Sequence, residues 1–329
     1  MTRRISLVWW PVLLILSPIL VPLLLIRYRK FRSDRARAAE LNRSRIDAAG
    51  PLEIPEVDEL ELRVLSEWRT KDGFKGESGV SYLFRTNLGS LLYDVAFGDE
   101  SGVVPHNAEK LGVTAADVDA VAISHLHNDH MGGIQAFRSM QVAVPDALKP
   151  EEPIPGYLPA QAGMAGFEAE VVETPRLLTG GIASTGSLAR RLFFLGWTEE
   201  QALVIRLKGK GLVVFTGCGH PTLPVILRMV RKMTSEPIYA IGGGLHYPIA
   251  GGRMSLPGID AQTIMGTGLP PWRRITEKDL DAVIETIHAE KPKRLYLSAH
   301  DTCDHALERL AHETGAEAVV LEAGGIYRI

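Results

Sequence analysis

Apolar and polar positions divide the chain into two unlike parts. From Ile5 to Ile26 the sequence ISLVWWPVLLILSPILVPLLLI is almost wholly apolar and carries no charge. An apolar helix of about 20 residues crosses a bilayer, so residues 5–26 predict one membrane span. Pro11, Pro18 and Pro22 would break a helix in water, but a helix in lipid tolerates them better. Trp9 and Trp10 suit a membrane–water interface.

Beyond about residue 51, short apolar runs alternate with runs at helical spacing. Residues 80–86 and 91–96 predict two strands joined by a tight turn at Asn87, Leu88 and Gly89. VDAVAIS (118–124) and GLVVFT (211–216) predict buried strands, and 239–241, 294–298, 318–321 and 326–329 shorter ones. Helices are expected over 132–140, 222–233, 277–289 and 306–313. In the third, Leu280, Val283, Ile284 and Ile287 form one apolar stripe. Residues 149–187 and 248–272 are rich in Pro and Gly, and predict long loops that act as lids or binding segments. Strands and helices mixed in this way imply a layered α+β domain. Two units follow: an anchor with a basic linker (1–50) and one folded domain (51–329).

Charge orients the anchor. Arg3 and Arg4 precede the span, whereas Arg27, Arg29, Lys30, Arg32, Arg35 and Arg37 follow it. The positive-inside rule makes the chain a single-pass membrane protein with its folded domain in the cytoplasm. A cleaved signal peptide has a shorter apolar core, roughly 7–15 residues, and a small-residue cleavage site, so a retained anchor fits better. Residues 27–45 read equally as a segment touching anionic lipid head groups or as a solvated basic linker. The whole chain has 329 residues and a formal net charge of −3, which gives no support to nucleic acid as a partner. Cys218 and Cys303 are its two cysteines, too few for a disulfide scaffold and in keeping with a reducing compartment.

The chemistry concentrates in Ser124-His125-Leu126-His127-Asn128-Asp129-His130-Met131-Gly132-Gly133. Four potential ligands lie within six residues, at the end of a buried strand. Imidazoles and a carboxylate suit zinc first, and also iron or manganese. His125 and His127 point the same way on an extended segment. Asp129 and His130 lie one step on and face a second position, so one run can serve two metals.

HLHNDHMGG resembles the His-x-His-x-Asp-His signature of the metallo-β-lactamase superfamily, over roughly residues 76–329. The resemblance implies an αββα four-layer sandwich. Asp94, in LLYDVAFG, resembles the family's early strand-ending Asp, which orients a metal-binding residue. In TGCGHP, Cys218 stands where many members carry a bridging Asp, and His220 follows. This Gly-Cys-x-His segment resembles a subgroup that includes the dihydropterin-linked ribofuranosylaminobenzene phosphate synthases. His220 is the favoured ligand there, while Cys218 is open between thiolate ligand and buried thiol. His300, in LYLSAHDTCD, is similar to the family's last metal-binding His. Asp301 beside it orients an imidazole or caps the next helix. His246, in GGGLHYP, binds metal or substrate, or is a plain loop residue.

The resemblance implies a small-molecule hydrolase with two divalent metal ions, zinc above all. His125, His127 and His220 would hold one metal. Asp129, His130 and His300 would hold the other, with Asp94 behind them. A hydroxide between the metals would attack an ester-, lactone- or phosphate-bearing substrate, with Asp129 and His246 as the catalytic residues. Two alternatives stand beside this: a synthase or transferase acting on a pterin-like substrate, and a non-catalytic metal-binding sensor. His106, His288, His305 and His312 have no such context and read as surface or packing residues.

Overall fold

The computed structural model describes residues 4–329. Two sheets face each other. In the first, the strand order is Ile326–Arg328, Leu60–Ser66, Ser81–Thr86, Gly89–Tyr93, Val121–Ala122, Ile154–Leu158 and Phe167–Val171. In the second it is Glu317–Val320, Arg294–Leu297, Ile238–Gly243, Gly211–Thr216, Leu203–Leu207, Ala183–Ser184 and Arg176–Leu177, with Glu56–Val57 pairing beside Leu203–Leu207.

The strands alternate side chains between faces, and this alternation builds the layers. Val213 and Phe215 point between the sheets and join Tyr82, Phe84 and Tyr93 in the central core. The Phe215 ring meets Tyr82 and Phe84 edge-on, at 5.2 and 4.9 Å between centroids. Leu212 and Val214 point the other way, onto the helices Leu223–Met233, Glu277–Glu290 and Asp304–Glu313. On the far side of the first sheet, Leu83, Leu92 and Val121 pack on Val104 and Ala108 of helix Val103–Leu111 and on Ala136 of helix Ile134–Ser139. The order of layers is therefore helix, sheet, sheet, helix.

Residues 149–187 are not a long loop. They contribute Ile154–Leu158 and Phe167–Val171 to one sheet, and Arg176–Leu177 and Ala183–Ser184 to the other. Strands of two to five residues next to Pro and Gly are too short to show a periodic pattern. The strand expected over 118–124 is reduced to Val121–Ala122, because Ala115–Asp117 turns as a 3-10 helix just before it.

The first helix, α1 (Trp10–Ala48), runs without a break through the apolar stretch and the basic one. Its apolar half is long and apolar enough to cross a membrane, with a window of mean hydropathy 2.3 of which none is buried. Its second half docks on the folded domain through buried Phe31, Ala38, Asn42 and Ile46. Arg29, Lys30, Arg32 and Arg37 are exposed on this docked helix, whereas Arg27 and Arg45 bond to the domain. Asn42 exchanges two hydrogen bonds with the backbone of Ala189, at 2.8 and 2.7 Å. Arg45 pairs with Glu199 at 2.7 Å, and Phe31 packs edge-on against Phe193. The partner surface is the hairpin Leu188–Leu192/Gly196–Glu200. Residues preceding α1 also touch the domain: Ser6 donates its N–H to Gly258 at 2.7 Å, and the Arg4 guanidinium reaches the carbonyl of Pro271 at 2.7 Å.

A candidate two-metal centre

The chemistry-bearing residues sit at the C-terminal ends of strands from both sheets. Asp94 follows Gly89–Tyr93, and His125 follows Val121–Ala122. Cys218, His246 and His300 follow Gly211–Thr216, Ile238–Gly243 and Arg294–Leu297. Main-chain bonding ends at these edges, so the side chains are free to turn into one cleft.

His125, His127 and His220 bring one nitrogen each to within 4.8 Å of one another. Asp129, His130 and His300 form a second such group. Cys218 lies between them, its Sγ 3.2 Å from Nε2 of both His130 and His300. It also converges with His125 and His130, with His220 and His246, and with His300 and Asp301. All the residues expected from sequence therefore meet at one place.

Buried groups behind the ligand atoms fix their orientation. Asp94 adopts a left-handed backbone, φ 62°, a conformation Asp tolerates better than most residues. Its carboxylate accepts the Ser124 N–H at 2.6 Å, the Ser124 hydroxyl at 2.7 Å and His130 Nδ1–H at 2.7 Å. Ser124 Oγ in turn lies 2.9 Å from His125 Nδ1. A side chain at Gly217 would collide with that hydroxyl, which is why the strand must turn there on a glycine. The Ser298 hydroxyl lies 2.6 Å from His300 Nδ1 and bonds Glu67, which also accepts from Tyr82.

Glu200 holds the loop of Cys218 and His220. Its Oε1 accepts the N–H groups of Gly217, Cys218 and Gly219 at 3.2, 3.2 and 2.7 Å, and Oε2 accepts that of His220 at 2.8 Å. Thr198, on the same strand, lies 3.2 Å from His127 Nε2. Sequence reading missed Glu67, Glu200, Ser124, Ser298 and Thr198. The signal was a carboxylate inside an apolar run, as in VLSEW and in EEQALVIRL.

Of the two readings of Asp301, the cap is not what the structure shows. Helix Asp304–Glu313 has Cys303 at its N-cap, so Asp301 is no cap. It lies among the ligand atoms, with Oδ2 3.6 Å from His246 Nδ1 and 4.0 Å from His300 Nε2. His246 also has a left-handed backbone, φ 62°. His288, His305 and His312 are exposed and His106 is half-buried, all away from the cleft.

Burial holds His125 and His220 well below the usual imidazole range, and holds His127 and His300 down to about 4. Burial lowers His130 too, but the carboxylates of Asp94 and Asp129 outweigh it and push His130 up to about 9. Burial pushes the Cys218 thiol well above its ordinary value, and neighbouring carboxylates add to this. Burial likewise raises Glu67 and Glu200 to about 7. Several buried atoms have no partner: His125 Nε2, His220 Nε2, both ring nitrogens of His246 and Asp301 Oδ2. Leaving such atoms unpaired is costly, and cations in the cleft would satisfy the lone pairs of His125, His220 and Asp301.

A family model described as the metallo-beta-lactamase superfamily matches residues 75–231. Over that stretch the chain is similar to the metallo-beta-lactamase superfamily, and its fold is the sandwich of that superfamily. It is 21% identical over 235 residues to a 7,8-dihydropterin-6-methyl-4-(beta-D-ribofuranosyl)-aminobenzene-5'-phosphate synthase of Methanocaldococcus jannaschii, covering 59% of this chain and 80% of that protein. Among solved structures it resembles Tm1679, described as a metal-dependent hydrolase of the beta-lactamase superfamily. There the TM-score is 0.59 and the identity 20%, over 82% of this chain and 99% of that one. It also resembles the metallo-beta-lactamase fold protein YhfI from Bacillus subtilis, with TM-score 0.50 and identity 16%, over 82% and 99% of the two chains. At these identities the structural likeness speaks for the fold alone.

Proposed function

We propose that this metallo-beta-lactamase-fold protein is a membrane-anchored hydrolase that works with two divalent cations, zinc first. One observation carries the reading: buried imidazoles converge from two sides on Cys218, and Nε2 of His125 and of His220 has no partner. Imidazoles, carboxylates and one thiol suit zinc, and also iron or manganese. When bound, the cations supply the positive charge that makes water acidic and polarises the substrate.

The chain's own residues do the rest. His125, His127 and His220 would hold one cation. Asp129, His130 and His300 would hold the other, with Cys218 between them. By accepting Nδ1–H, Asp94 leaves His130 Nε2 bare for a cation. Ser298, bonded to Glu67, steadies His300 in the same way. His246, on the wall of the cleft with both nitrogens unpaired, is positioned to pass a proton to the leaving atom. The substrate is a small molecule bearing an ester, a lactone or a phosphate.

The test uses the full chain in detergent. Metal analysis should find two cations per chain, and a panel of esters, lactones and phosphodiesters should reveal turnover. Asp129→Ala should abolish that turnover with the circular dichroism spectrum unchanged. Bound metal without turnover on any substrate would favour a sensor. Condensation of a pterin-like substrate would favour a synthase.

The unshielded apolar half of α1 supports the anchor, and the arginines after it support a cytoplasmic domain. One observation favours a second seating. A spanning helix would put residues 4–9 and the docked half of α1 on opposite sides of the bilayer, yet both bond to the domain. A helix lying along the membrane surface keeps both contacts. A membrane-impermeant thiol reagent added from the cytoplasmic side separates the two: it should label a Ser6→Cys variant only in the surface arrangement.

A further inference from the structure

Beside His220 and His246 lies a cavity of about 180 Å³, and two arginines line it. Arg35 comes from the docked half of α1, and Arg190 from the strand Leu188–Leu192. No residue of 150–187 lines it; from the segment expected to form a lid come Thr267 and Leu269.

The acids nearby are committed elsewhere. Asp34 faces Arg191 at 3.5 Å, Glu40 pairs with Arg43 and Glu199 with Arg45. Asp279, on the same cavity wall, caps its own helix by accepting both the hydroxyl and the N–H of Thr276 at 2.7 Å. Among the described residues, neither the Arg35 nor the Arg190 guanidinium has a hydrogen bond or an ion pair. Burial and the like charge of Arg35 both act against the Arg190 cation. A guanidinium held in this way costs stability unless an anion joins it. Arg43, Arg191 and Arg228 line the adjoining groove with the same two residues, so the approach is basic as well.

We propose that Arg35 and Arg190 form a phosphate-binding subsite of the cleft, so that the substrate carries a phosphate next to the group that reacts. Two guanidiniums match a dianionic, many-oxygen group better than one carboxylate. The subsite rests on the cleft being the reaction site, and it deepens the hydrolase reading. It gives the N-terminal helix a part in substrate recognition as well as in attachment.

The probe is inorganic phosphate, titrated calorimetrically into the full chain in detergent, once metal-loaded and once after metal removal. Arg35→Ala is at an exposed position and leaves the fold intact. Arg190→Lys keeps a charge in case Arg190→Ala unfolds. Each alanine should weaken phosphate binding roughly 10- to 100-fold in both metal states, as expected for a lost charge-assisted contact. Arg190→Lys should recover part of it, and acetate should bind far more weakly than phosphate. Equal phosphate affinity in wild type and both alanine variants overturns the subsite, and so does acetate binding as well as phosphate. Phosphate binding that depends on the arginines, without turnover of any substrate, keeps the subsite and sinks the hydrolase reading alone. Glycerol phosphate against dihexanoyl phosphatidic acid in the same titration separates the sources. Equal binding indicates a water-soluble phosphate, and tenfold tighter binding of the lipid a membrane-derived one.

Discussion

The two ligand groups of the cleft are built differently. Around His130 and His300, the ring nitrogen remote from the cleft is held by Asp94 or by the Ser298–Glu67 pair. Around His125, His127 and His220 no carboxylate bonds a ring directly: His125 Nδ1 has Ser124 Oγ at 2.9 Å, His127 Nε2 has Thr198 at 3.2 Å, and His220 Nε2 has no partner. One side is rich in carboxylates with fixed imidazoles; the other is nearly neutral. Carboxylate charge and buttressed imidazoles raise cation affinity. On the proposed two-cation reading, the Asp129, His130 and His300 group would be the tighter seat. The His125, His127 and His220 group, next to the cavity, would be the exchangeable seat that meets substrate.

Substitutions can break that contrast, beginning with the most damaging. Asp94→Ala removes the acceptor of three buried donors, so metal affinity at the tight seat should fall about 10- to 100-fold. Hydrolysis should fall at least as far. Metal analysis after dialysis reads this, and unchanged retention would equalise the two sides. Glu200→Gln comes next. It leaves backbone donors poorly matched and should lower stability by about 1–3 kcal/mol, seen as a lower Tm at fixed metal loading. A wild-type Tm would show that the loop needs no clamp. Ser298→Ala should cost the tight seat about tenfold in affinity, within the range for groups behind ligands. Thr198→Val should do least, changing metal affinity at the exchangeable seat by no more than about tenfold. Chelator titration of the wild type sharpens the same point: metal should leave in two steps, the first without loss of helical signal. A single step would mean that the seats are equivalent.

The sequence made half of this visible. HLHNDH is contiguous, so the cluster of His125, His127, Asp129 and His130 was legible, whereas His300 was marked only by the resemblance to the superfamily. The mixture of strands and helices was legible from the apolar runs and the stripe of Leu280, Val283, Ile284 and Ile287, while the order of layers came from the resemblance alone. What was hidden depends on partners far apart in the chain. Glu67 meets Ser298 across 231 positions, and nothing local marks either. Arg35 looked like one of many basic residues after an apolar span. Only docking of α1 on the hairpin Leu188–Glu200 brings it beside Arg190. The strands within 149–187 were obscured by Pro155 and Gly156, which interrupt any alternation.

Glu200 grips four successive amides, so the turn bearing Cys218 and His220 is already cast before any ion arrives. Such a turn behaves as a mould more than as a clasp. An incoming ion pays little ordering entropy there, and its departure leaves the contour standing, ready for the next. Hydrogen exchange at Gly219 and His220 should then run equally slowly with and without metal, a signature that a turn shaped by its ion would not give.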